Sequence, residues 1–207
     1  IVNTAHVNER VMTNSGEAKR PVETTVTSIR LLELLKENGG MTLSELTSEC
    51  EAARSTIHRH LLTLDEYNLI EREDGTYHVG LRWLDFGVHA RNRLQVFETA
   101  KEQIDELAER TGEVPWLVTK NGDMAIFVYK AGKQPLEPQP RVGRRRFLHQ
   151  FASGKAILAH LPEQKRREII RRQGLPTSTE HTVNDPDTLT EELASVRERG
   201  YAFNREE

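Results

Sequence analysis

The sequence predicts an α+β protein with two domains, and three observations lead to that fold class. The chain has 207 residues, whereas a single hydrophobic core typically serves about 100–150 residues. In the first part, apolar residues recur at helical spacing and are followed by two strand-like segments around an Asp-Gly turn. The second part begins with helices and continues with strand-like runs and further helices. We therefore expect a small helical domain with a β-hairpin, joined by a helical linker to a larger α/β domain.

Composition excludes several classes of protein. Hydrophobic residues make up 36% of the chain, and no apolar run approaches the roughly 20 residues that cross a bilayer, so we expect a soluble protein without a membrane partner. Cys50 is the only cysteine, which excludes an internal disulfide and fits the reducing cytoplasm. Residues 1–20 lack the apolar core of a secretory signal and are expected to form a disordered tail. We expect no metal site and no cofactor.

Charge is distributed unevenly along the chain. The net charge is −3. Between Val22 and Arg82, six basic residues stand against eleven acidic ones, for a balance of −5, whereas ten basic residues stand against two acidic ones between Arg141 and Arg172, for +8. Charge alone would place a nucleic-acid surface in the second half. The local sequence motifs favour the first half instead.

The first helix is predicted by apolar residues at helical spacing. Ile29, Leu32 and Leu35 form its stripe, flanked by Leu31 and Leu34, and Thr24 or Thr25 is expected to cap its start. The Asn-Gly-Gly sequence that follows ends the helix.

A helix-turn-helix is predicted next. Thr42 and Glu45 form a capping box, in which each side chain accepts a hydrogen bond from the other's backbone amide, and a short helix follows as far as Cys50. After a tight connection, Ile57 and Leu61 begin the apolar stripe of a third helix that runs to about Tyr67. Two helices joined so closely are typical of a helix-turn-helix.

A β-hairpin follows the third helix and completes a winged helix. Residues 69–72 and 76–79 are strand-like and flank an Asp-Gly turn. In a helix-turn-helix the second helix of the motif places its first turns in the major groove of DNA. Arginine can bind guanine edges there, and serine or threonine can bind phosphate or base. The candidate DNA contacts are the outward-facing residues Arg54, Ser55, Thr56, His58 and Arg59.

The alternative for this surface is a solvated polar helix face that contacts nothing. His58 and His60 are expected to be phosphate-binding or surface groups rather than metal ligands, because residues two apart do not share a helix face. Cys50 is expected to be a small buried apolar residue.

The string from Arg54 to Leu64, followed by Asn68-Leu69-Ile70, resembles the recognition helix of the IclR family of bacterial and archaeal transcription regulators. The resemblance covers about residues 21–207. It implies a winged helix-turn-helix DNA-binding domain at 21–80, a linker helix at 81–95 and a GAF-like α/β effector domain at 96–207. It also implies a sequence-specific DNA-binding regulator whose affinity for a double-stranded operator is modulated by a small-molecule effector, commonly an organic acid.

Two other functions are weighed against that one. The acidic first domain suits a winged-helix protein-interaction adaptor without specific DNA binding. An enzyme is disfavoured because the sequence shows no nucleophile elbow, phosphate-binding loop or metal-ligand spacing, although His149 and Ser153 could be recruited into a hydrolytic site.

Two helices are predicted between the domains. The first carries the stripe Leu81, Leu84 and Val88, with Trp83 and Phe86 on other faces, so it should have more than one partner. The second carries an apolar stripe composed of Phe97, Ala100, Ile104, Leu107 and Ala108. The resemblance implies that the linker contributes to dimerisation, and we expect a homodimer or a dimer of dimers. The alternative is an ordinary helical hairpin.

The second domain is predicted to contain a sheet and a ligand site. Residues 116–120 and 124–129 form a hairpin, and the proline-rich residues 134–140 form a loop near the pocket mouth. Ala152, Ser153 and Gly154 open a helix whose free amides and dipole favour an anion such as a carboxylate. The resemblance implies that the first two line the effector pocket. The alternative is an ordinary helix capped by Ser153, with Lys155 as a surface charge.

The last part of the chain is predicted to be helical. Helices are expected at residues 163–173 and 189–199, the second with a capping box at Thr188 and Glu191. The final residues resemble the family segment that enters a central strand, and Asn204 there is a candidate effector contact, although the family often has acidic residues at this place. The family normally continues through further strands and a helix, so the resemblance implies an effector domain that is incomplete at its C-terminal side.

Overall fold

The computed structural model describes residues 21–133 and 141–205, which form two compact units. The first unit ends at Leu94 and the second begins at Gln95. The architecture is α+β, as predicted. The predicted tail at 1–20 and the proline-rich loop at 134–140 lie outside the described residues. Among the helices that are described, none is long and apolar enough to cross a lipid bilayer.

The first unit combines four helices with a small sheet. Its strands are antiparallel in the order β1-β3-β2, so the predicted hairpin carries a third, two-residue strand on its other edge. In chain order the elements are α1 (Glu23–Asn38), β1 (Met41–Thr42), α2 (Leu43–Glu49), α3 (Arg54–Glu66), β2 (Ile70–Glu73), β3 (Thr76–Val79) and α4 (Arg82–Asn92).

The capping box and the hairpin turn of this unit are confirmed. The Thr42 amide donates to Glu45 Oε2 at 2.7 Å, and the Glu45 amide donates to Thr42 Oγ1 at 3.3 Å. The Thr42 amide and the Thr42 hydroxyl, whose Oγ1 is 2.8 Å from Glu45 Oε2, both donate to the carboxylate and hold the pKa of Glu45 below its usual value. Asp74 and Gly75 have φ angles of 47° and 86°, the left-handed pair that a tight antiparallel hairpin requires.

The predicted start of α1 is wrong, and its predicted stripe is only partly correct, because Leu35 is buried and Leu32 packs against the core. The helix begins at Glu23 after Val22, which has no hydrogen-bonding side chain, and neither Thr24 nor Thr25 caps it. Ile29 is 42% exposed, whereas Leu31, Leu34 and Leu35 are buried. A helix so rich in leucine contains overlapping stripes, and packing against the other helices selects one of them. The core of this unit consists of Leu31, Leu34, Leu35, Met41, Leu46, Ile57, Leu61, Leu64, Ile70 and Tyr77.

The second unit is a three-stranded antiparallel sheet covered by helices. Its strand order is β4-β5-β6, so the predicted hairpin is confirmed and a short third strand joins its second member. The elements are α5 (Gln95–Thr111), β4 (Trp116–Asn121), β5 (Met124–Lys130), β6 (Arg145–Phe147), a 3-10 turn (Leu148–Gln150), α6 (Ala152–His160), α7 (Glu163–Gln173) and α8 (Pro186–Arg199).

The core of the second unit lies between β5, α6, α7 and α8. Ala125 and Phe127 of β5 pack with Leu158 of α6, Ile169 of α7 and Leu193 of α8. The first turn of α6 packs closely on the 3-10 turn, where Gly154 lies against Leu148. The predicted stripe of α5 is only partly correct, because the structure buries two of its members and leaves Leu107 42% exposed.

The predicted start of the last helix is wrong. The helix α8 begins three residues early, at Pro186, with Asp185 as its cap. The Asp185 Oδ2 atom accepts from the Thr188 amide at 2.7 Å and from Thr188 Oγ1 at 2.8 Å, and these bonds lower the pKa of the Asp185 carboxyl. An aspartate cap followed by proline in the first turn is a stronger start signal than Thr188 alone.

Candidate functional site

The first candidate surface is the start of α3. Arg54, Ser55, Thr56 and Arg59 are exposed, and His58 is partly exposed. The preceding residue, Ala53, has no side-chain acceptor, so the first amides of the helix have no side-chain cap. Free amides and the helix dipole at this end favour a negatively charged group such as a phosphate.

The buried face of α3 fixes the direction in which this surface points. Ile57 and Leu61 are completely buried and Leu64 is 6% exposed. His60 lies at the edge of that face, and its Nδ1 is 2.8 Å from Ser28 Oγ on α1. The expectation that His60 is a phosphate-binding or surface group is therefore corrected, because its ring links two helices of the core.

The wing beside α3 is acidic at its tip. Glu73 and Asp74 are exposed at the turn between β2 and β3. Arg72 lies over the ring of Tyr77, 5.3 Å from the ring centre, so its aliphatic stem covers the sheet. The negative balance of this unit therefore extends to the hairpin tip, where a DNA-binding wing would approach phosphates.

The start of α4 is bound to the base of the wing. Trp83 Nε1 donates to the Leu69 carbonyl at 2.9 Å, and Arg82 Nη1 donates to the Tyr67 carbonyl at 2.5 Å. The Leu81 amide donates to Glu71 Oε1 at 3.2 Å. These bonds make α4 a continuation of the first unit rather than a free linker at this end.

The helix α4 carries a large exposed apolar surface. Leu84 is 66% exposed and Phe86 48%, and Leu81, the N-cap residue of the helix, is 77% exposed. The rings of Trp83 and Phe86 are 5.7 Å apart. Exposed apolar patches of this kind mark protein-interaction surfaces, which agrees with the two-sided helix predicted from sequence.

The second candidate surface is the first turn of α6. Ser153 is exposed, Ala152 is half-buried and Gly154 is buried. A Cβ atom at Gly154 would lie 2.2 Å from the carbonyl oxygen of Leu148, so glycine is required there because the helix packs on the 3-10 turn. Phe151 precedes the helix in an extended conformation and has no side-chain acceptor. Ser153 therefore does not cap the helix.

Asn204, the other predicted effector contact, is far in sequence from the first turn of α6. It is exposed in the segment after α8, and its neighbours Phe203 and Arg205 line a cavity of about 290 Å³ together with Glu192. A second cavity of about 360 Å³ lies between α5 and the end of β5, beside Gly132. The residues that line these two cavities do not include positions 152–154, so neither cavity coincides with the predicted effector site.

His149 is buried beside α6 and serves a structural contact. Its Nε2 lies 3.0 Å from the carbonyl oxygen of Pro176, so this nitrogen must carry a proton and donate it. Burial lowers the pKa of His149, and the positive charges of Lys155 and Arg146 lower it further. Because its Nε2 proton is held by a carbonyl and Ser153 points to solvent, the hydrolytic pair weighed from sequence has no support.

Lys155 differs most from its expected position. Its side chain is 0% exposed, and its Nζ donates to Glu192 Oε1 of α8 at 2.9 Å. The interpretation of Lys155 as a surface charge is therefore wrong.

Cys50 is partly rather than fully buried, and this partial burial raises the pKa of its thiol. Across the described residues, no group of three or more His, Cys, Asp or Glu side chains is arranged to hold a metal ion.

Family models match both parts of the chain. The model described as "Bacterial transcriptional regulator IclR C-terminal" matches residues 88–207, and the model described as "HVO_A0261 N-terminal domain" matches residues 22–82. The chain belongs to the IclR family. Like its curated relatives, it is an IclR-type transcriptional regulator and not an enzyme.

Individual IclR relatives agree with this assignment. The chain is 35% identical over 199 residues to the probable HTH-type transcriptional regulator ArcR of Halobacterium salinarum, covering 94% of this chain and 75% of the relative. The crystal structure of Thermotoga maritima IclR matches with a TM-score of 0.66 and 28% identity, covering 88% of this chain and 75% of that one. An IclR homologue from Microbacterium hydrocarbonoxydans, complexed with 4-hydroxybenzoate, shares the fold at a TM-score of 0.72 and 24% identity, with coverage of 86% and 75%.

Proposed function

We propose that this IclR-type regulator binds a specific double-stranded DNA operator through the start of α3. The observation that carries the proposal is the exposed set Arg54, Ser55, Thr56 and Arg59 on a helix whose opposite face is completely buried. Arginine side chains at such a place can read guanine, while the free amides and hydroxyl groups bind phosphate. His58, which is partly exposed, is the fifth proposed contact.

We assign the remaining parts of the chain to three roles. Residues 21–80 are the DNA-binding domain, 81–95 are the linker and 96–207 are the effector-binding domain. The exposed apolar surface of α4 supports a homodimer or a dimer of dimers, because burying that surface against a second copy would remove large apolar side chains from water. A two-fold dimer binds an operator with two inverted half-sites.

We also propose that the second unit binds a small organic acid at the first turn of α6. Ala152 and Ser153 have small side chains that let a ligand approach the amides of that turn, and Gly154 lets the turn pack closely on the Leu148 carbonyl. A carboxylate is stabilised at such a helix start by the amides and the dipole. The fold can hold such a ligand, since the Microbacterium homologue is complexed with 4-hydroxybenzoate. Asn204 is the further proposed contact.

Selection from a pool of random double-stranded DNA tests the DNA-binding proposal. We expect the wild-type protein to enrich one sequence with two-fold symmetry. The acidic balance of the first unit favours the alternative of an adaptor that binds protein instead of specific DNA. A pool that remains random after repeated selection, at salt concentrations from low to near saturation, would support the adaptor and refute sequence-specific binding.

The effector proposal is tested on the selected operator. Titration with small carboxylates, beginning with 4-hydroxybenzoate, should change operator affinity, because a ligand acts only through unequal affinity for two conformations. Ser153→Glu should abolish that response while leaving operator binding without ligand unchanged, since it adds a negative charge at the amides. A full response in the Ser153→Glu variant would show that the ligand binds elsewhere.

A further inference from the structure

A buried ion pair joins α6 to α8 directly behind the proposed effector site. Lys155 follows Gly154 in the first turn of α6, and its ammonium group is completely removed from solvent. It donates to Glu192 of α8 at 2.9 Å, and the Glu192 side chain is 27% exposed. The two residues are 37 positions apart in the chain. The pair is therefore a long-range contact that fixes two helices together.

Adhesion between these helices does not require an ion pair. The helices already pack through Leu158 of α6 and through Leu189, Leu193 and Val196 of α8, all buried. A buried ammonium group loses its hydration, and an apolar pair of similar volume is generally at least as stabilising. An ion pair adds direction, because a charged hydrogen bond is strong only when donor and acceptor meet at one position.

The residue that the pair holds is part of the ligand-facing turn. The Lys155 amide donates to the Phe151 carbonyl at 2.9 Å, closing the first turn of α6. The same turn also rests on Leu148 through Gly154. A shift of Lys155 along α8 would therefore move the backbone between Phe151 and Lys155, which carries the amides that face the ligand.

We propose that Lys155 and Glu192 are positioning residues, which hold the first turn of α6 in the geometry that receives a small carboxylate. The inference rests on the proposed effector function, because that function gives the turn its ligand. Lys155 does not itself contact the ligand, since its side chain points away from solvent into the contact with α8.

Hydrogen–deuterium exchange on the full chain tests this inference without DNA or effector. Lys155→Met alone leaves a carboxylate without its partner and can prevent folding, so the double variant Lys155→Met/Glu192→Leu carries the test. We expect the double variant to melt at or above the wild-type temperature. Its peptides from residues 148–158 should nevertheless exchange at least about tenfold faster, because a segment can open locally at a lower free energy than that of global unfolding.

A matched control uses an exposed ion pair of the same composition. Lys165 and Glu168 of α7 are 3.5 Å apart and are 41% and 37% exposed. Lys165→Met/Glu168→Leu should leave exchange at residues 148–158 unchanged. Wild-type exchange in the Lys155→Met/Glu192→Leu variant, or a failure of that variant to fold, would overturn the positioning role. If the double variant exchanges faster as expected but the wild-type protein does not respond to carboxylates, the result would count against the effector proposal and not against the positioning role.

Discussion

Replacing Gly154 by alanine perturbs the proposed effector turn with a single methyl group. The new Cβ would lie 2.2 Å from the Leu148 carbonyl oxygen and 2.9 Å from Leu148 Cα. Both atoms belong to the backbone and cannot rotate away, so the helix or the 3-10 turn must move. Alanine is favoured over glycine inside a helix by up to about 1 kcal/mol, whereas overpacking a core costs about 1–3 kcal/mol. We expect Gly154→Ala to lower the free energy of unfolding of the second unit by about 1–2 kcal/mol.

The two tryptophans of the chain make this measurement specific. Trp83 lies in the first unit and Trp116 in β4 of the second, so a Trp83→Phe background leaves a fluorescence signal from the second unit alone. Urea unfolding of Gly154→Ala is compared with that of Ser153→Ala, which changes an exposed neighbour and should shift stability by less than about 0.5 kcal/mol. A Gly154→Ala protein as stable as the wild type would refute the close packing of α6 on Leu148.

Three further predictions concern the other named contacts. Leu84→Glu in α4 should reduce the particle mass measured by light scattering to the 23.7 kDa of one chain, while Val142→Glu, at another exposed position before β6, should not. An unchanged mass in the Leu84→Glu variant would remove α4 from the interface. Burial lowers the pKa of His149 in the folded protein below its ordinary value of 6.5. As the pH falls, the imidazole is therefore protonated in the unfolded chain before it is protonated in the folded one. The contribution of neutral His149 to stability is complete above pH 6.5 and declines as pH falls towards the lowered pKa. Below pH 6.5, the melting temperature of His149→Gln should fall less steeply with pH than that of the wild type, whereas His160→Gln, at an exposed residue, should behave as the wild type does. Equal slopes for His149→Gln and the wild type would contradict the role given to His149. Glu73→Lys at the wing tip should strengthen DNA binding and steepen its log–log salt dependence by about 1; Glu106→Lys on exposed α5 is the control, and an unchanged slope would place the wing away from phosphates.

Local signals in the sequence were sufficient for most element boundaries. The capping box of Thr42 and Glu45 and the Asp74-Gly75 turn each depend on residues within a few positions of one another, and the structure confirms both. The outward face of α3 was also predictable, because the spacing of its apolar residues places the polar ones opposite. Local chemistry therefore determines where most of the elements lie and which side of α3 is exposed.

Two helices differ from their predictions, each for a different reason. The first helix contains leucines on two overlapping stripes, and contact with α3 and the sheet buries Leu31 and Leu34 instead of Ile29. The predicted start of α8 was the capping box of Thr188 and Glu191, whereas the helix begins at Pro186 with Asp185 as its cap. In α1 the outcome depends on packing that no single segment encodes, whereas the start of α8 follows the stronger local signal of Asp185 and Pro186.

The contacts that position the candidate sites are long-range and were missed. His60 meets Ser28 across 32 positions, and Lys155 meets Glu192 across 37. Periodicity gives a signal for each: His60 follows Ile57 by three residues, and Lys155 precedes Leu158 and Ala159 by three and four. Each polar residue therefore lies on or beside a buried apolar stripe, where it must find a partner within the core.

Operator affinity of two arginine variants tests the central proposal, that the start of α3 reads DNA, most directly. Fluorescence anisotropy would compare the wild type with Arg54→Ala, Arg59→Ala and the control Arg110→Ala, which removes an exposed charge from α5, on the operator obtained by selection. Each of the first two should weaken binding by about 1–3 kcal/mol, or roughly 5- to 150-fold, and relax the base preference at one position of the site. Arg110→Ala should bind as the wild type does. Wild-type affinity in both α3 variants would contradict the account.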